Sequence, residues 1–224
     1  MNEFFLSPSL LLVQKSFLGG FFLYLILLFI FNKKNFSEKE TITILSKKIF
    51  YGLTYYYIFL SVILSIGQYL VWNSNPMTKS FLNSPIGHNV SAPIFKSISF
   101  IANSSFGYFS YYIIGRIWIG TFLSILSALI FWYFLRILKK YNNRFFEDGE
   151  VELGGVCVLI LGWPNFVIFI PLVFLSVIFI SLFKMVFLKE KFTTLGYPFL
   201  LATLITILYG TYLIKLINLE VLKI

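Results

Sequence analysis

Cysteine, histidine and aspartate each occur once in 224 residues, as Cys157, His88 and Asp148. One cysteine excludes an intrachain disulfide. A structural zinc site needs several Cys or His ligands, and haem or iron–sulfur ligation is equally short of donors. A Ser–His–Asp triad would have to use His88 and Asp148, and neither lies in a nucleophile context. No GxxxxGK[ST] or GxGxxG phosphate loop occurs, so nucleotide chemistry has no support. Neither a cofactor nor a metal is expected. Charge is scarce too, at 12% of residues, against about 25% in soluble domains.

What the chain does have is apolar surface. Hydrophobic residues make up 58% of it, against about 45–50% in ordinary globular domains. A chain this short cannot bury so much in one water-facing globule. That excludes a soluble enzyme domain, a disordered regulator and a nucleic-acid-binding module. The expected class is all-α, a polytopic transmembrane helical bundle whose first partner is the lipid bilayer. The formal net charge of +9 sits in short clusters between apolar runs. This placement follows the positive-inside bias of membrane proteins, not a nucleic-acid footprint.

A helix needs about 20 apolar residues to cross a hydrocarbon core of about 30 Å. About six membrane segments follow from that rule. The first covers Phe17 to Phe31 and lacks the basic leader and small-residue cleavage site of a signal peptide. The second runs from about Phe50 to Trp72, with Tyr69 and Trp72 as interfacial aromatic anchors at one end. The third runs from about Tyr108 to Leu138. Leu153 to Leu161 is too short to span and reads as a short or re-entrant helix. Gly162-Trp163-Pro164-Asn165 separates it from Phe166 to Phe183. The last segment opens at Gly196-Tyr197-Pro198 and continues to about Ile214.

Three parts follow: an N-terminal helix pair over 1–72, an external loop over 73–105 with a short interfacial helix near 94–102, and a C-terminal membrane domain over 106–224. The basic loops 32–49, 136–144 and 184–191 are expected on the cytoplasmic side of a cell membrane. Arg116 lies inside the third apolar run. A charge there marks a binding site if it faces a cavity, or snorkels to the headgroups if it sits at interface depth.

Residues 147–152 hold Glu147, Asp148, Glu150 and Glu152, four of the nine acids in the chain. They stand where a basic loop becomes a membrane helix. Acids in a first turn favour the positive helix end, so the plain reading is a helix start with a solvated edge.

A second reading rests on a series of motifs. Glu147-Asp148-Gly149-Glu150-Val151-Glu152-Leu153 is followed by Gly162-Trp163-Pro164-Asn165, Gly196-Tyr197-Pro198-Phe199 and Tyr209-Gly210. In order and spacing, over about residues 145–210, this series resembles the prepilin peptidases. These are membrane aspartyl proteases with a Gly-x-Gly-Asp-x-Lys-Leu motif that process type IV pilins. The resemblance implies that Glu150 stands at the catalytic aspartate and Glu152 at the lysine. It also implies prepilin-like helices or other membrane proteins as partners. The family's second catalytic aspartate has no counterpart, because no aspartate precedes Asp148. Glu38 or Glu40 would have to replace it.

Aspartic proteolysis needs two carboxylates close enough to share one proton. A glutamate also sets its carboxylate one methylene further out, and catalytic groups must be held to about 0.5 Å. The leading expectation is therefore a non-catalytic relative of the prepilin peptidases that acts by binding or assembly, with Glu147, Asp148, Glu152 and Arg116 as candidate binding residues. The alternatives are a divergent membrane protease using Glu150, and a small transporter or channel subunit built around Arg116. The oligomeric state stays open.

Overall fold

Inside lipid a backbone must satisfy its own N–H and C=O groups, so apolar runs of crossing length fold as helices. The computed structural model describes residues 39–86, 104–141, 146–147, 149–189 and 193–222, without the side chains of 39–43, 45 and 188. Every regular element among the described residues is helical. In chain order these are α1 (Lys39–Ser74), α2 (Pro76–Leu82), α3 (Gly107–Ile113), α4 (Ile119–Tyr141), α5 (Glu150–Leu161), α6 (Asn165–Phe183) and α7 (Gly196–Leu216). A π-helical turn, Ile114–Trp118, joins α3 to α4, a second, Lys184–Leu188, prolongs α6, and a 3-10 turn, Leu219–Leu222, follows α7.

Four stretches are long and apolar enough to cross a membrane: Ser46–Ser74, Gly107–Tyr141, Asn165–Phe187 and Gly196–Leu216. The chain is an all-α membrane protein. The expected segment at 17–31 lies outside the described residues, as does the interfacial helix near 94–102. Helix α5 has 12 residues and so spans about 18 Å. That is little more than half of a hydrocarbon core of about 30 Å, as expected of a short arm.

Three helical stretches replace expected loop. Helix α1 begins at Lys39, well inside the basic stretch 32–49. From Lys39 to Tyr51 no Gly or Pro interrupts it, and Lys, Glu, Leu and Ile sustain a helix outside lipid. Helix α2 occupies part of the expected loop 73–105. Asn75 caps it by accepting the Met77 N–H at 3.0 Å, and Pro76 sits at the first turn, where its missing N–H has no cost. The Lys184–Leu188 turn carries α6 into the basic stretch 184–191.

The chain divides into two compact units. The first lies within Tyr57–Thr121. Trp72 is buried there among rings, with centroids 4.9 Å from Tyr112, 5.3 Å from Phe109 and 6.2 Å from Tyr108. Trp72 lies two residues from the end of the span Ser46–Ser74 and packs these rings together. Hydroxyls link the helices below it. Ser61 and Thr121 approach to 2.7 Å, and the Trp118 indole N–H donates to Ser65 at 3.2 Å. Between apolar helices such bonds hold where hydrophobic contrast is weak.

The second unit comprises 39–56 and the described residues from Phe122 onward. Its centre is α5, in which every residue except Glu152 is buried. A helix apolar all round has no solvent face and must be enclosed. Gly154 and Gly155 make that enclosure possible. A Cβ on Gly154 would collide with Leu135 and lie 3.1 Å from Phe199 and 3.3 Å from Phe131. One on Gly155 would lie 3.2 Å from Phe50 and 3.3 Å from Trp132. Around them Cys157, Val158, Leu159, Phe169 and Ala202 are fully buried.

Candidate functional site: a buried carboxylate where two helices begin

The acid cluster opens α5. Gly149 precedes the helix with φ 86, a left-handed conformation that costs a glycine nothing. This turn directs Glu150 inward, not to water. Glu150 is fully buried, with 0% of its surface exposed. One carboxylate oxygen, Oε1, accepts the Gly196 N–H at 2.6 Å. The other, Oε2, accepts the Glu147 N–H at 2.9 Å and the Leu195 N–H at 3.2 Å. The Thr194 side chain stands near enough to favour the ionised carboxyl.

Leu195 and Gly196 begin α7. Their N–H groups are among the first-turn donors that a helix cannot satisfy itself. Leu195 offers no side-chain cap, so Glu150 caps α7 from another helix. It also stands at the first residue of its own helix. Two helix N-termini, each carrying partial positive charge, thus meet one carboxylate. Burial pushes the Glu150 carboxyl above its ordinary value. The N–H groups of Glu147 and Gly196 and the Thr194 side chain oppose that rise, and the nearby Glu147 charge adds to it.

Glu147 and Glu150 are therefore brought together. Glu152 is half-buried one turn into α5. Asp148 and Glu38 lie outside the described residues, and Glu40 is described by its backbone alone. Arg116 belongs to the other unit, where its side chain is exposed on the π-helical turn. The stretch Gly107–Tyr141 has 35 residues and spans about 52 Å, far more than the core needs. Arg116, near the start of it, can therefore sit outside the midplane. Among the described residues no group of His, Cys, Asp and Glu could hold a metal ion.

At its far end α5 stops on Gly162, whose φ 64 and ψ 178 define a region open to glycine alone. The Trp163–Pro164 peptide bond is cis. The Trp163 N–H donates to the Ser124 hydroxyl at 2.9 Å, and its indole N–H donates to the Leu222 carbonyl at 2.9 Å. The Asn165 amide donates back to the Leu161 carbonyl at 3.1 Å. Gly210 passes so close that a Cβ there would lie 3.1 Å from Asn165 Oδ1.

Sequence reasoning singled out Glu150 and the Gly162–Asn165 turn but missed their partners: Thr194, Leu195 and Gly196 at one end, Ser124 and Leu222 at the other. The Gly-Tyr-Pro helix opening at 196–198 was the one available signal. No protein-family model, curated protein or solved structure matches the chain.

Proposed function

We propose that this chain is a non-catalytic relative of the prepilin peptidases, acting in a cell membrane as a binding or assembly component with its basic segments on the cytoplasmic side. The supporting observation is the Glu150 carboxylate, fully buried with both oxygens engaged by main-chain N–H groups. Proteolysis by paired carboxylates requires one of them to take a proton from water. Glu150 offers water no surface, and its hydrogen bonds fasten α7 to α5. Glu150 thus holds together the short helix and the last span, and the surrounding helices offer apolar faces to a partner helix.

The test uses membranes carrying the full chain and a prepilin-like single-span substrate with a photo-crosslinker in its apolar segment. The expected result is cross-linking to the chain without cleavage. Cleavage that disappears in Glu150→Gln, with the variant's melting temperature unchanged, would overturn the proposal and establish the protease.

A further inference from the structure

The second unit carries exposed cations beside the apolar runs of its helices. In α1 the apolar run follows Phe50 and the lysines precede it. In α4 the apolar run precedes Trp132 and the cations follow it. Phe50 and Trp132 meet at one level, because both lie against Gly155, at 3.2 and 3.3 Å from the position of its Cβ. Both cationic turns therefore lie to the same side of that level. Lys47 stands one turn before Phe50 on the same side of α1, and Arg136 one turn after Trp132. The Arg136 guanidinium lies over the Trp132 ring, 5.3 Å from its centroid. Lys140 follows one turn further out.

Lys47, Lys48, Arg136 and Lys140 are all exposed, and among the described residues none of them forms an ion pair. Beside them Ile137 and Leu138 expose apolar surface, each 38% accessible. A strongly basic surface next to apolar surface matches a molecule with an anionic head and hydrocarbon tails.

We propose that the exposed cations at the start of α1 and the end of α4 form a basic patch that binds anionic phospholipid headgroups. Arg136, held by its stack on Trp132, supplies a planar fork of donors to the phosphate. Lys47 and Lys140 supply charge around it, while the tails lie along the apolar face of α4. The proposal rests on the membrane assignment and is independent of the role given to Glu150.

The full chain, purified in micelles with equal amounts of phosphatidylglycerol and phosphatidylcholine, is examined by native mass spectrometry at low and high salt. The expected result is preferential retention of phosphatidylglycerol that weakens as salt rises. The triple variant Lys47→Gln, Arg136→Gln, Lys140→Gln reduces the preference by about fivefold per charge removed. The control Lys79→Gln with Lys215→Gln leaves it unchanged. Thermal melts establish that each variant is folded. If the triple variant does not fold, Lys140→Gln on the outermost turn carries the test, with one fivefold loss expected. Equal retention of both lipids by the wild-type chain overturns the proposal. So does a loss in the control as large as in the variant, which would reduce the effect to net charge.

Discussion

The two ends of α5 solve one problem by opposite chemistry. Each must tie a short, enclosed helix to a distant part of the chain. At the start, one carboxyl side chain collects main-chain N–H groups, two of them 45 and 46 residues away. At the finish, neutral groups do the joining: an indole, a side-chain amide and a hydroxyl. Removing a buried acceptor that serves several donors strands all of them, whereas removing one donor strands one acceptor. The start should therefore be the brittle end and the finish the forgiving one.

The largest expected effect comes from Glu150→Ala. It leaves the N–H groups of Glu147, Leu195 and Gly196 without their acceptor, and a buried unsatisfied donor costs about 1–3 kcal/mol. We expect a total loss of about 3–5 kcal/mol, read by thermal or denaturant unfolding in detergent. A loss under about 1 kcal/mol would mean that the carboxylate holds nothing. Gly154→Ala, between the two ends, should follow. Its Cβ meets Leu135, Phe131 and Phe199, and overpacking of this kind costs about 1–3 kcal/mol. An unchanged melting temperature would show that Leu135 yields freely.

At the finish, Trp163→Phe keeps an aromatic ring of smaller size and deletes one hydrogen bond to Leu222. The expected loss is about 0.5–1.5 kcal/mol. If it equalled that of Glu150→Ala, the proposed asymmetry between the ends would be wrong.

The smallest effect is a pH slope. The carboxyl of Glu150 is raised from an ordinary value of 4.5, so the folded chain holds its proton more tightly than the unfolded one. The contribution is then fully present below about pH 4.5 and is lost as pH rises through the higher folded value. Unfolding free energy should fall over that window in the wild-type chain and stay flat in Glu150→Gln. A rise with pH would show that the converging N–H groups and helix ends outweigh burial.

Much of the fold was legible because length and apolarity act locally. The runs at 50–72, 108–138, 166–183 and 196–214 became helices within a few residues at most ends, and the shortness of 153–161 already announced a short arm. Residues 39–49 misled because charge was read as loop, although nothing between Lys39 and Tyr51 breaks a helix. The ring cluster around Trp72 was not legible, because no local pattern places Tyr108, Phe109 and Tyr112 beside an aromatic at a span's end. The site was half legible. Acids at a helix start are visible in sequence, but the burial of Glu150 depends on Leu195 and Gly196, and no local pattern encodes a pairing across so many residues.

The central claim is that Glu150 caps α7 from another helix. Amide hydrogen exchange at Leu195 and Gly196 tests it most directly, since uncapped first-turn N–H groups exchange quickly. Protection is expected at both amides in the wild-type chain, lost in Glu150→Ala while the middle of α7 stays protected. Rapid exchange at both positions in the wild-type chain would contradict it.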